Sequence, residues 1–570
     1  MEAGAAGEAA YADGPLGAPT VRGLAPDAPA GTHVRVPPPG GADRLPIPSG
    51  VPLTRPERTD YSETSTYEDV VAFLDSLEGR GLRVARGVIG RTTQGRELPY
   101  VVASRPMVST PAEARALDRP IVYVQGNIHG GEVEGKEALQ MLLRDLLMDS
   151  EPNVLDSIVL VAVPIYNADG NEAWGPQDRQ RGAQNGPERI GQRPNGQGFD
   201  LNRDYVKAEA PETRASLAMF NAWDPHVFVD LHTTDGSYHG YALTYSPSLH
   251  PAAPLADYSF DTFLPELERR VAARHGYPTY HYGNFEDEYG GSPADTNKAS
   301  WRTYEHTPRY GTNYYGLRNR LSVLSEAFSH DPLDRRVAST YAFVRELLSL
   351  VAEQGNAIRA AERAADTAAV VGPRGVAIRS ELPETAPLEW IVAEDLEATG
   401  DSARSAPGVR RGFRRTGQYR AIRMPSFIRF QATLERDAPA GWLLPATDTA
   451  AVRLLRLHGI AVSRLTQPWT GDVAAFRIDS VALARRAFQG HREVTLLGDR
   501  WTTRRETVPA GAFLVSARQP LSRLATVLLA PRTDDGLVTW NVFDAELRAG
   551  GEFPVWQLRG ALPGAVEAVP

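Results

Sequence analysis

At 570 residues the chain exceeds the about 250–300 residues that one hydrophobic core fills, so more than one structural unit is expected. A net charge of −9 with no basic block argues against a nucleic-acid footprint, and the absence of cysteine excludes disulfides, thiolate metal ligands and cysteine nucleophiles. No run approaches the roughly 18–20 apolar residues of a transmembrane helix.

Residues 1–60 are dominated by Ala, Gly and Pro, with Pro37-Pro38-Pro39-Gly40-Gly41 at their centre, and are expected to be disordered or extended. The opening residues, Met1 to Glu8, have neither a basic n-region nor an apolar h-region, so no signal peptide is expected there. Cysteine-free composition is compatible with a cytoplasmic or an exported protein. A helix is predicted from Tyr67, with Ser65 or Thr66 as its cap, and Gly90 to Leu98 reads as a turn between strands. From there apolar runs at 121–125, 158–163, 227–231 and 321–325 alternate with helical patterns at 132–148, 212–223, 258–274 and 335–352. This alternation predicts an α/β domain over residues 61–370, with a mixed, largely parallel central sheet flanked by helices. A polar, alanine-rich helix around 352–369 closes it. Short strands and turns then predict a small β-rich module at 371–435 and an α+β accessory module at 436–570.

In such a sheet ligands bind beyond the carboxyl ends of the strands. His129 and Glu132 lie three apart on the glycine-flanked loop Gly126-Asn127-Ile128-His129-Gly130-Gly131-Glu132, directly after the first of these runs. An imidazole and a carboxylate so spaced can converge on one point, which suits Zn²⁺. His232, in Asp230-Leu231-His232, supplies a third ligand at a strand end, and Glu326 ends a later apolar run. Between them lies Arg193-Pro194-Asn195-Gly196-Gln197-Gly198-Phe199-Asp200-Leu201-Asn202-Arg203.

Over roughly residues 60–350 the order of these four blocks resembles the zinc carboxypeptidases of the carboxypeptidase A type, the M14 family. The resemblance implies one zinc per chain, held by His129, Glu132 and His232, with Glu326 as general base. It implies that Arg193 polarises the scissile carbonyl, with Arg179, Arg181 and Arg189 as competing candidates in the same loop. Asn202 and Arg203 match the pair that receives a substrate's terminal carboxylate, a task that suits a planar guanidinium; an Asp200–Arg203 brace is the alternative. Tyr314 is taken for the family's mobile tyrosine, chosen among Tyr304, Tyr310, Tyr314 and Tyr315. The residue before Glu132 is Gly131, where pancreatic-type enzymes carry a substrate-binding arginine. Pro164 to Gly170 resembles a family turn and reads as structural.

The implied function is a metallocarboxypeptidase acting on peptides. A zinc deacylase of N-acyl amino acids, as in the aspartoacylase and succinylglutamate desuccinylase group, or a peptidoglycan peptide hydrolase is the alternative. A catalytically inactive binding module is disfavoured because His129, Glu132, His232 and Glu326 are all present. A serine hydrolase lacks its Gly-x-Ser-x-Gly elbow, and the thermolysin-type His-Glu-x-x-His is also absent.

Overall fold

Eight strands build the central sheet: β1 (Ala85–Arg91), β2 (Glu97–Ala103), β3 (Ile121–Gly126), β4 (Val159–Val163), β5 (Val227–Thr233), β6 (Leu243–Pro247), β7 (Thr279–His281) and β8 (Leu321–Ala327). They belong to a computed structural model that describes residues 32–34, 45, 47, 49–82, 84–286, 300–400, 409 and 411–569. Most of the 1–60 stretch, expected to be disordered or extended, lies outside the described residues. The strand order is β7-β6-β8-β5-β3-β4-β2-β1. The four central strands β8, β5, β3 and β4 run parallel, while β6 is antiparallel to β8 and β2 is antiparallel to both β4 and β1. The fold is therefore the mixed, largely parallel α/β sheet expected from the sequence.

Strand side chains alternate between faces, and both faces are covered. Val122, Val124, Leu160, Ala162, Val227 and Val229 join one core with α2 (Glu134–Met148), α4 (Leu264–His275) and α6 (Leu333–Val371), which α1 (Tyr67–Gly79) extends. Ile121, Tyr123, Val159, Val161 and Phe228 face the other way, into a core with α3 (Pro211–Trp223) and α5 (Gly311–Leu317). The helical patterns at 335–352 and around 352–369 form the single helix α6, since no proline interrupts the join and the second half merely exchanges apolar for polar positions.

Beyond α6, strands β9 (Leu388–Ala398) and β10 (Phe413–Phe427) pair antiparallel in a five-stranded sheet. That sheet recruits Thr32–Val34, Asn284–Phe285 and Trp301–Arg302 from earlier in the chain. The C-terminal region forms a seven-stranded sheet with helices α7 (Thr449–Leu457) and α8 (Ser522–Leu529). Trp442, Leu524 and Leu528 of this region lie in the same apolar core as Tyr123 and Phe228 of the central sheet. Among the described residues no helix is long and apolar enough to cross a membrane.

One histidine ties the C-terminal region to the α/β domain. His458 Nε2 donates to the Val206 carbonyl at 3.0 Å, its Nδ1 lies 2.8 Å from the Tyr314 hydroxyl, and Arg318 donates to its carbonyl at 2.6 Å. Burial, with Arg318 nearby, pushes the imidazole down from 6.5 to about 4, against the pull of the Val206 carbonyl. The neutral ring suits a site where one nitrogen donates and the other accepts. Its contribution to stability is full above pH 6.5 and shrinks as the pH falls towards 4, where the unfolded imidazole binds a proton and the folded one does not. The loss should approach about 3 kcal/mol. Denaturant unfolding at pH 7 and pH 4.5 checks it: His458→Gln should remove that part of the pH dependence, and an unchanged pH dependence would refute the assignment.

Candidate metal and catalytic site

Strand β3 ends at Gly126, and the next residue sets the loop that follows. Asn127 takes a left-handed φ of 66°, which an asparagine tolerates. Its buried Nδ2 donates to the carbonyls of His129, Gly130 and Glu132 at 3.3, 3.2 and 3.1 Å. One side chain thus gathers the backbone that carries two candidate ligands. Beneath it the loop crosses the 167–171 turn backbone against backbone: a Cβ on Gly130 would lie 2.2 Å from the Gly170 carbonyl carbon, so no side chain fits. Asn167 stitches the crossing, donating to Ile128 O at 3.0 Å and to Arg193 O at 3.2 Å.

His129, Glu132 and His232 converge, with one ligand atom from each within 4.8 Å of the others. His129 Nδ1 lies 2.9 Å from Glu132 Oε1, and His232 Nδ1 lies 3.0 Å from Glu132 Oε2. Each outer nitrogen faces a carboxylate: His129 Nε2 is 3.0 Å from Asp200 Oδ1, and His232 Nε2 is 3.0 Å from Asp230 Oδ2. A ring proton on each outer nitrogen, beside its carboxylate, leaves both Nδ1 lone pairs for the centre, as metal ligation requires. Two imidazoles and one carboxylate, all buried, form a donor set that fits Zn²⁺ and leaves a coordination position for water. Burial alone would raise the Glu132 carboxyl, but His129 and Arg181 hold it well below the usual carboxylate range.

Glu326 is placed by strand register. It pairs with His232 across the parallel β8–β5 ladder, so the two side chains stand next to each other at the strand ends. Neither Arg318 nor Arg320 engages it: Arg318 bonds Asn221 and the His458 carbonyl, and Arg320 bonds Asp224 and Asp366. Burial lifts Glu326 well above the usual carboxylate range; His232 pulls against this, and Glu132 and Asp235 add to it. Its buried Oε2 has no hydrogen-bond partner among the described residues. An unsatisfied carboxylate oxygen beside an imidazole cluster is an acceptor waiting for a proton donor.

Glu326, the His129–Glu132–His232 triad, Arg193, Asn202 and Arg203 line one cleft. Arg193 donates through Nε to Asp200 Oδ2 at 2.9 Å, and its Nη1 lies 3.5 Å from Glu132 Oε1. Arg203 is 3.9 Å from Asp200 and stacks 3.8 Å from the centre of the Tyr310 ring, so Arg193 is the main cation on Asp200. Tyr314 is not at this cleft, which corrects the expectation from sequence. It sits inside α5 with its ring stacked on Tyr205 and its hydroxyl on His458, wholly buried. The tyrosines that face the cleft are Tyr282, Tyr304 and Tyr310, and Tyr310 does so because it is the extended residue before the helix begins. Asp235, three residues past His232, also lines the cleft and accepts from the Tyr282 hydroxyl at 3.2 Å. Nothing in the sequence pattern marked it.

Residues 70–315 match the zinc carboxypeptidase family Peptidase_M14. The matched residues lie within the α/β domain that carries the His129–Glu132–His232 triad. Carboxypeptidase 2 of Trichophyton equinum is 23% identical over 489 residues, 82% of each chain, and carboxypeptidase Z of Homo sapiens is 32% identical over 167 residues, 28% of this chain and 23% of that one. Among solved structures, a metallo-carboxypeptidase from Burkholderia cenocepacia aligns over 50% of this chain and 70% of its own at 18% identity, with a TM-score of 0.37.

The chain departs from the pancreatic type at Gly131, and the structure gives the physical reason. A Cβ there would lie 2.8 Å from the Gly191 carbonyl and 3.2 Å from Cδ of Arg181. The space is filled by Arg181, which donates to Glu132 Oε1 at 2.6 Å and to the carbonyls of Thr233 and Thr234, both at 3.0 Å. Arg181 therefore bridges the loop of Glu132 to the strand end of His232. Its only signal in the sequence was its place among the arginines competing with Arg193. Partners in this outer layer hold metal ligands in place, and losing one typically weakens metal binding about 10–100-fold. Arg181→Gln should raise the zinc dissociation constant within that range in a chelator competition, while thermal unfolding of the metal-free protein changes little; an unchanged zinc affinity would remove Arg181 from the site.

Proposed function

We propose that this protein is a zinc-dependent carboxypeptidase of the M14 type that hydrolyses the C-terminal peptide bond of peptides. The observation that carries the reading is the meeting, in one cleft, of a His-Glu-His triad, an unsatisfied buried carboxylate and a guanidinium–amide pair. Zinc at the triad would supply Lewis acidity and lower the pKa of a water towards neutrality. Glu326 takes a proton from the attacking water and delivers it to the leaving amine, a transfer worth about 10²–10⁴-fold. Arg193, fixed by Asp200, sets positive charge where the scissile carbonyl oxygen becomes negative. Asn202 Oδ1 already accepts from Gly311 N at 2.8 Å, which turns its amide nitrogen out as the donor. With Arg203 held over the Tyr310 ring, that amide can receive a terminal carboxylate.

Two measurements test this. Glu326→Gln should retain zinc yet lose about 100-fold or more in kcat; an active variant would sink the mechanism. A panel of blocked dipeptides, their C-terminal amides and N-acyl amino acids decides the substrate class. Cleavage confined to free-acid peptides supports the carboxypeptidase, whereas cleavage of N-acyl amino acids alone would transfer the reading to a deacylase.

A further inference from the structure

The residues that orient Asn202 and Arg203 are themselves held from outside the α/β domain. Tyr310, whose ring carries Arg203, ends a segment that runs from Thr303 without regular structure, and Gly311, whose N–H binds Asn202, opens α5 directly after it. Left to itself, such a segment would be mobile at the mouth of the cleft. Its anchor is Arg309. Asp535 of the C-terminal region accepts from Arg309 N at 2.7 Å, Nε at 3.2 Å and Nη2 at 3.1 Å, and Glu493 accepts from Nη1 at 2.7 Å. Asp535 is wholly buried and also receives the indole N–H of Trp540 at 2.7 Å, while the guanidinium lies 4.7 Å from the centre of that ring. Three residues earlier His306 meets Asp534 at 3.2 Å. Both carboxylates of the Asp534-Asp535 pair therefore grip the segment that brings Tyr310 and Gly311 to the carboxylate-binding pair.

We propose that the C-terminal region completes the substrate cleft: Asp535 and Glu493 clamp Arg309, a positioning residue that holds Tyr310 and Gly311 against Arg203 and Asn202. The inference rests on the carboxypeptidase reading for its kinetic consequence and on geometry alone for the clamp. Order imposed before binding need not be imposed during it, so the clamp favours affinity for the terminal carboxylate.

The test uses the full-length, zinc-loaded protein and Asp535→Asn, which removes the charge and turns one acceptor into a donor facing Arg309. Steady-state kinetics on a blocked dipeptide with a free C-terminus would be read beside hydrogen exchange by mass spectrometry. The expected result is KM raised about tenfold with kcat within about threefold, because interactions shared by bound substrate and transition state are lost together. Zinc content should not change, and exchange should quicken over 303–311 but not over α6. Unchanged exchange and KM in the folded variant would overturn the clamp, as would a fall in kcat at constant KM. Should Asp535→Asn fail to fold, Glu493→Gln, nearer the surface, should move KM and exchange the same way by about threefold, and no change there overturns the proposal. Failure of the wild-type protein to cleave free-acid peptides would defeat the carboxypeptidase reading instead, with the exchange measurement still deciding the clamp.

Discussion

A single buried carboxylate organises this protein. Glu132 lies 2.9 and 3.0 Å from the Nδ1 atoms of His129 and His232 and accepts from the guanidinium of Arg181 and from the backbone N–H of Thr233 at 3.1 Å. Its two oxygens therefore join three segments that are remote in sequence: the loop after β3, the arginine-rich loop near 181 and the end of β5. An ionised carboxylate is costly to bury unless donors surround it. The surrounding chain is shaped to supply them, from the Asn127 side chain that folds the loop to the glycine crossing that lets it approach Arg193.

Around that centre the sheet acts as a ruler. Parallel strands place residues of equal depth side by side about 4.8 Å apart, so Glu326 and His232 become neighbours through register alone. No local signal is needed beyond an apolar run of the right length before each. Asp200 plays the matching part on the other side, holding His129 and Arg193 with one side chain and receiving the Asn202 N–H at 2.9 Å. The groups proposed for catalysis and for substrate binding thereby share supports. Substituting one support is expected to disturb several functions at once, which is why additivity fails among such neighbours.

The C-terminal region belongs to this arrangement. It shares an apolar core with the outer face of the sheet, donates His458 to the base of α5 and reaches the cleft through Asp535. A buried hydrogen-bonded charge such as Asp535 is a poor source of net stability, because desolvation offsets most of its attraction. It does fix geometry, and the segment it fixes is the one that carries Tyr310 to the cleft.

The amino-acid order by itself determined the alternation of apolar runs and helices, and hence an α/β sheet whose strand ends carry His129, His232 and Glu326. It also determined the candidate zinc chemistry, because His-x-x-Glu, a late histidine and a later glutamate are types and spacings that need no coordinates. Only the tertiary structure decided which arginine touches Glu132, which tyrosine faces the cleft and what the last 130 or so residues do there. Arg181 and Arg193 stand in one irregular loop, where no periodicity tells which way a side chain points. Tyr310 and Tyr314 differ by one helical turn, yet the first precedes the helix and opens to Arg203 while the second enters the core. Asp535 lies 226 residues from Arg309, a separation over which only packing, and no local pattern, can specify a partner.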